Sequence, residues 1–445
     1  MFPYQNPKIS VAERVEDLLS RMTLEEKVGQ MNQCVGVEHF RFNFQTMAEE
    51  ELRTNTANAF YPGYTPEDLE DMAREGLVGS FLHVLTVEEA NHLQRLAMQS
   101  RLAIPLIFGI DAVHGNANAP DNTVYPTSLG LACSFNVELA ETIARQTARE
   151  MRAMNMHWTF SPNVEVARDP RWGRCGETFG EDPLLVSRMG CATVRGYQGQ
   201  FGNENVLACI KHFIGGGQSV NGTNGAPCDV SERTLREIFF PPFAAGVEAG
   251  AGTVMMSHNE LNGIPCHTDS RLMTDVLRRE WDFKGFIVSD WDDIEHAHDL
   301  HHTATSDKDA YLQSISAGMD MHMHGPEWNA AVLALVKEGR ISESRIDESV
   351  RRILEAKFVL GLFEHPYADE AQSMRLRLSA EHRATALEAA RQSIVLLKNR
   401  SNILPLDARK YRKVLVTGIN ADDENIMGDW SAHQNPENVI TILEG

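Results

Sequence analysis

A (β/α)8 barrel followed by the beginning of an α/β sandwich domain is the fold class this chain predicts. Three observations carry it. Eight short apolar segments alternate with longer amphipathic ones from about residue 15 to 362. Polar and ionisable residues gather just after those segments, at the end where parallel barrels place their chemistry. The chain has 445 residues, 42% of them hydrophobic, ample for a barrel of about 250 residues or more.

The segments read as strands are Val28–Val35, Val78–Val84, Ile104–Ile110, Met156–Ser161, Val206–Phe213, Thr253–Ser257, Phe286–Ser289 and Met319–Met323. Each is short, apolar and rich in β-branched or bulky residues, the pattern of a strand buried on both faces. Helix starts separate them. Thr23-x-x-Glu26 and Thr86-x-x-Glu89 have capping-box spacing. Ser231 and Asp269 are N-cap candidates before Leu235–Val247 and Leu272–Trp281. An open doubly wound sheet is the competing architecture for the same alternation.

The pattern fades after Gly361, so residues 1–364 are assigned to the barrel. Residues 365–411 read as a polar linker, His365–Arg377, and a helix, Ser379–Lys398. Residues 412–445 open with an apolar run, Lys413–Gly418, expected to be a strand. A strand with one or two helices buries no core of its own. This stretch therefore reads as the beginning of an α/β sandwich, cut short.

The formal net charge is −21. Nucleic acid and anionic membrane surfaces are poor partners for such a surface. A small neutral ligand suits it better. No stretch approaches the roughly 20 apolar residues of a membrane span. The start, Met1 to Lys8, lacks the basic and apolar regions of a signal peptide. Seven scattered cysteines without a Cys-x-x-Cys pair favour reduced thiols and a cytoplasmic location. An exported chain whose signal was removed is the alternative.

The residues after the strands suggest chemistry. Phe286–Ser289 runs into Asp290 and Trp291. A carboxylate beside an indole suits a sugar, whose C–H face stacks on the ring while the acid meets the anomeric carbon. The structural alternative is that Asp290 caps the next helix. Strand three runs into Asp111, strand five ends near Lys211-His212, and strand six ends at Ser257-His258-Asn259. A buried Lys211 needs a partner, and Asp111 is a candidate. Neighbouring strand residues face opposite ways, so at most one of Lys211 and His212 should face the barrel axis unless the strand ends there. The Gly215–Gly217 triplet would let backbone approach a ligand closely. In the loop Arg168–Arg174, one arginine is expected to read ligand while the others hold the loop against Glu177, Glu181 or Asp182.

Gly109–Gly115 (Gly-Ile-Asp-Ala-Val-His-Gly), Arg168–Arg174, Lys211-His212-Phe213 and Val288–Trp291 together resemble glycoside hydrolase family 3, in particular its β-glucosidase type. The resemblance runs over roughly residues 15–445. It implies a barrel followed by an α/β sandwich, and retaining, exo-acting hydrolysis of terminal β-D-glucose. Asp290 would be the catalytic nucleophile. Asp111, Arg174, Lys211 and His212 would bind the sugar's hydroxyls. Trp291 would wall the pocket, and Met255 would supply an apolar contact near the nucleophile. His258 stands where related plant enzymes often have Tyr. No cofactor and no metal are implied, and the partner is a small β-glucoside or oligosaccharide.

Retaining hydrolysis needs two carboxyl groups about 5–5.5 Å apart, one attacking and one protonating the leaving oxygen. Two-domain relatives take the acid, a Glu, from the second domain, here expected beyond Gly445. Another branch uses an Asp–His pair after the Lys-His motif, where this chain has Ile214–Gly217 instead. Taken alone, the chain is expected to bind sugar poorly and turn over slowly. β-Xyloside hydrolysis and a non-catalytic sugar-binding role are alternatives. So is a metal-dependent barrel hydrolase using His322 and His324, with His296, His298, His301 and His302 nearby.

Overall fold

The computed structural model describes residues 2–54, 59–432 and 434–445. Eight parallel strands form one barrel. They are β1 (Asn32–Val35), β2 (Ser80–Leu82), β3 (Ile107–Ile110), β4 (Trp158–Thr159), β5 (Leu207–Phe213), β6 (Thr253–Met256), β9 (Phe286–Val288) and β10 (His322–Met323). An antiparallel hairpin, β7 (Glu260–Leu261) and β8 (Ile264–Pro265), stands outside the barrel between β6 and β9. The sheet order is β10-β1-β2-β3-β4-β5-β6-β9. A parallel bridge between Val288 and Met321 joins its two ends.

The eight expected strands are all present, with shorter ends. The capping box of Thr23 and Glu26 forms in both directions and starts a helix over Leu24–Gln30. Val28–Gln30 are therefore helical, and β1 begins only at Asn32. Thr86 caps its helix through Glu89 N, but the return bond is not made. Glu89 instead turns to the backbone N–H of Glu38 at 3.0 Å. Ser231 caps its helix, and Asp269 accepts from the N–H groups of Arg271 and Leu272. The helix after Asp269 spans Arg271–Glu280 in π geometry.

Two expectations change beyond the barrel. The linker holds a short helix, Glu370–Leu376, capped by Asp369. The next helix ends at Gln392 rather than Lys398. The strand expected at Lys413–Gly418 does not form, and Val414 and Leu415 stand exposed. A parallel strand exists only with a neighbour to share its ladder, and no described residue pairs with this stretch.

A buried carboxylate fixes the strand that carries Asp290. Asp320, fully buried between β9 and β10, accepts from Ile287 N at 2.9 Å and Ser349 Oγ at 2.7 Å. Arg278 and Arg352 meet it at 2.6 and 2.8 Å, and Arg345 at 3.5 Å. Burial pushes its pKa up, and the three guanidiniums outweigh that and hold it below the usual carboxylate range. Asp320→Ala would leave three cations packed together without their anion. It is expected to cost about 3–5 kcal/mol, read as a lower urea midpoint.

Among the described residues, no helix is long and apolar enough to cross a membrane. All seven cysteines are free thiols, four of them buried.

Candidate active site

At the C-terminal end of the strands lies a cavity of about 600 Å³. Asp111, Arg174, Lys211, Met255, His258, Asp290 and Trp291 all line it. These are seven of the eight residues singled out from sequence. The eighth, His212, stands behind the wall, 1% exposed. A second cavity of about 510 Å³, lined by Gly252, Trp281 and Gly285, opens at the opposite end of the barrel, away from this cluster.

Asp290 follows β9 and is 8% exposed. Its Oδ1 accepts from Trp291 N at 2.7 Å, and its own N–H donates to His267 Nε2 at 3.0 Å. Burial holds the His267 pKa down at about 4, so its ring is neutral and free to accept that bond. Asp290 Oδ2 receives no aligned hydrogen bond. It faces His258 Nε2 at 3.0 Å and His212 Nε2 at 3.4 Å. This is a carboxylate with one oxygen fixed by backbone and the other set among basic groups.

Lys211 and Asp111 form the buried pair the sequence suggested, with Nζ to Oδ1 at 2.6 Å. Asp111 Oδ2 meets His83 Nε2 at 3.0 Å. Burial pushes Asp111 up, but Lys211 and His83 outweigh it and hold it well below the usual range. Lys211 thus compensates Asp111 rather than Asp290. Of this pair Lys211 lines the cavity, and His212 approaches Asp290 Oδ2 at 3.4 Å from behind its wall. The β5–β6 register shifts between Ile210 and Phe213, which breaks the strict alternation there.

Arg174 is the one arginine of its loop that lines the cavity. Nε and Nη2 grip Glu177 at 2.7 and 2.9 Å. Nη1 and Nη2 also reach His258 Nε2 at 3.1 Å and His212 Nε2 at 3.0 Å. Arg171 holds the loop through Asp169, while Asp182 caps the helix Pro183–Gln198. His212 Nδ1 meets Glu165 Oε2 at 2.7 Å. Burial pushes Glu165 up to about 7, so it is half-ionised at neutral pH, and holds His212 well down, so that ring is neutral.

The glycine triplet does not line the cavity. A Cβ on Gly216 would lie 2.4 Å from Glu165 Oε1, and one on Gly217 would lie 2.4 Å from the Val166 carbonyl. These glycines let the loop pack on its own barrel. The histidines of the metal alternative also disperse. His322 pairs with Glu295 at 2.8 Å and His324 with Tyr61 at 2.8 Å. His212, His258 and Asp290 do converge, but the Arg174 guanidinium lies against both rings, and a cation there opposes a second one.

Three contributors were missed from sequence. His83 follows β2 and stacks on Trp291, with ring centroids 6.1 Å apart; its place after a strand was the available signal. Asp293 sits three residues past Asp290 and lines the cavity. Trp430 comes from the C-terminal stretch and lines the cavity too, with Lys211 Nζ 5.4 Å from its ring. Its segment is tied down by Ala432 N to Ala117 O at 2.9 Å and Gln434 Nε2 to Ala117 O at 3.0 Å.

A parallel barrel that gathers carboxylates, a guanidinium and two indoles around one cavity has the make-up of a carbohydrate-recognising barrel. Residues 23–356 match the glycosyl hydrolase family 3 N terminal domain, and residues 394–445 match its C-terminal domain. The chain belongs to glycosyl hydrolase family 3. It is 37% identical over 437 residues to a lysosomal beta glucosidase of Dictyostelium discoideum, covering 94% of this chain and 52% of the relative. It is 38% identical over 396 residues to a beta-xylosidase of Formosa agariphila, covering 83% and 54%. A solved beta-glucosidase of Listeria innocua in complex with glucose superposes with a TM-score of 0.84 at 34% identity, covering 97% and 58%. The chain spans about half the length of the curated relatives it matches.

Proposed function

We propose that these residues form the catalytic barrel of a retaining, exo-acting β-glucosidase that removes terminal β-D-glucose by double displacement. The observation that carries this is Asp290, placed at a strand end, open to the cavity, and set between Trp291 and a cluster of basic side chains. Asp290 attacks the anomeric carbon, and the leaving oxygen departs with a proton from a general acid. Water then attacks the same carbon, and the C1–Oδ bond breaks with its electrons returning to Asp290. Asp111, Arg174 and Lys211 read the sugar's hydroxyls, and Met255, Trp291 and Trp430 supply apolar surface.

Three carboxylates around the cavity make poor acids for the first step. Asp111 and Glu177 are held in charged pairs, and Glu165 is buried behind His212. We place the acid outside residues 2–445, in keeping with the greater length of the relatives. The same reading assigns residues 1–364 to the barrel, 365–411 to a linker and helix, and 412–445 to the beginning of an α/β sandwich. The free thiols favour a cytoplasmic location, although one relative is named for the lysosome.

Hydrolysis of aryl β-glucoside and aryl β-xyloside by the native protein tests the assignment. Faster kcat/KM on the glucoside supports it. Faster turnover of the xyloside favours the second reading, which rests on the Formosa relative. No turnover of either, with sugar still bound, favours a non-catalytic role. Trp430→Ala is expected to raise KM about tenfold while kcat changes less, because an aromatic wall binds ground and transition states alike.

A further inference from the structure

His258 is the residue whose surroundings the sequence explains least. It follows β6, and its ring stands between two carboxylates. Nε2 lies 3.0 Å from Asp290 Oδ2, and Nδ1 lies 2.7 Å from Asp293 Oδ2. Asp293 is 2% exposed and is itself flanked by His296, at 2.8 Å from its other oxygen. A ring bridging two buried anions in this way is more than a hydroxyl reader.

We propose that His258, anchored on Asp293, is a positioning residue that carries a positive charge and stabilises the Asp290 carboxylate as it departs from the glycosyl-enzyme. This deepens the β-glucosidase reading and rests on it. In the second step water attacks the anomeric carbon and gives its proton to a general base. The C1–Oδ bond breaks, and its electron pair returns to Asp290. The proton of His258 stays where it is. An imidazolium 3.0 Å from Oδ2 lowers the energy of the charge that develops there, with no reorganisation at the moment of reaction.

The groups around the ring decide its charge. Asp290 and Asp293 face it from the segment after β9. Arg174 faces Nε2, and His212 stacks on it with ring centroids 5.7 Å apart. Glu165 lies behind His212, and its pKa, pushed up to about 7, makes it an anion over the alkaline range. His267, neutral, lies beyond Asp293, and His301 Nε2 meets the His258 backbone carbonyl at 3.2 Å. Burial and Arg174 disfavour the imidazolium; the two carboxylates outweigh them and raise its pKa to about 9. Arg174 Nη1 competes for Nε2, and an unprotonated Nε2 would accept from it. Arg174 keeps its two bonds to Glu177 without that contact, so the ring is free to turn its Nε2–H toward Asp290 as a hydrogen-bond donor.

The sign follows. In the free enzyme the charge is present below about 9 and is lost as pH rises through it. In the glycosyl-enzyme Asp290 is an uncharged ester, so Asp293 alone raises the ring's pKa and the charge is lost at a lower pH. The second step needs a base and not an acid, so its alkaline side is free of the proton donor's own ionisation. The native protein is trapped with a 2-deoxy-2-fluoro-β-glucoside, and loss of the label is followed by intact mass between pH 6 and 11. The rate constant is expected to fall on the alkaline side, with a midpoint below the free enzyme's value of about 9. His258→Asn should release label roughly ten- to a hundredfold more slowly at neutral pH and show no such limb. Asp293→Asn should move the limb to lower pH.

An alkaline limb that persists in His258→Asn, or its absence in the native protein, overturns the proposal. The ring is also titrated directly by NMR, its signal assigned by its loss in the Asn variant. A midpoint near 9 is expected. A midpoint below 7 means that Nε2 accepts from Arg174, and it overturns the proposal whether or not label is ever formed. Failure to trap or turn over any β-glycoside, with the ring still titrating near 9, sinks the β-glucosidase reading and not the charge on His258.

Discussion

Replacing Asp290 with alanine is expected to lower kcat on an aryl β-glucoside by at least about 10⁴-fold, the scale seen when a covalent nucleophile is removed. The fold should survive. Asp290 Oδ2 takes no aligned hydrogen bond, and Oδ1 takes only the N–H of Trp291. The carboxyl's contact with His258 at 3.0 Å is lost, but Asp293 at 2.7 Å still partners that ring, so the cost to the fold should be small. Thermal unfolding should therefore move little while turnover vanishes. Retained turnover removes Asp290 from the nucleophile role, and a collapsed melting transition makes it a structural residue instead.

The second large effect concerns Asp111. Asp111→Ala is expected to lower kcat/KM by about 10²–10⁴-fold, the loss of two charge-assisted hydrogen bonds to sugar hydroxyls at about 1.5–3 kcal/mol each. Unlike Asp290→Ala, it should also destabilise the fold by about 3–5 kcal/mol, because Lys211 is left charged and buried without its partner. Asp111→Asn keeps the shape and one acceptor, so it should lose less stability than alanine. Chemical denaturation and steady-state kinetics on the two variants check both parts. Equal stability in wild type and the alanine variant contradicts the pairing of Lys211 with Asp111.

Buried periodicity and strand-end chemistry were legible because both are local. All eight barrel strands sit inside segments that an apolar run marks, and the residue just past the run is the one that faces the cavity at Asp111, His258 and Asp290. His83 obeys the same rule after β2 and was passed over inside a longer strand. The β7–β8 hairpin was also written locally, in Asn262-Gly263, whose positive φ values of 50° and 86° suit a tight hairpin turn.

What was not legible depends on distance along the chain. Trp430 reaches the cavity only because residues 432 and 434 bond to Ala117, more than three hundred positions earlier. The ring of His258 takes its charge from Asp290 and Asp293 and its competitor from Arg174, and no spacing announces that meeting. Lys413–Gly418 shows the converse. Its apolar run looks like a strand, but a strand is a property of a pair, and the described residues offer it no partner.

The most direct test of the account is to trap the protein with a 2-deoxy-2-fluoro-β-glucoside that has an activated leaving group, digest it, and locate the label by mass spectrometry. The account predicts one sugar per chain, attached to the peptide that contains Phe286–Trp291 and esterified at Asp290. Label on any other carboxylate, or steady turnover of the parent β-glucoside with no covalent label at all, would contradict it.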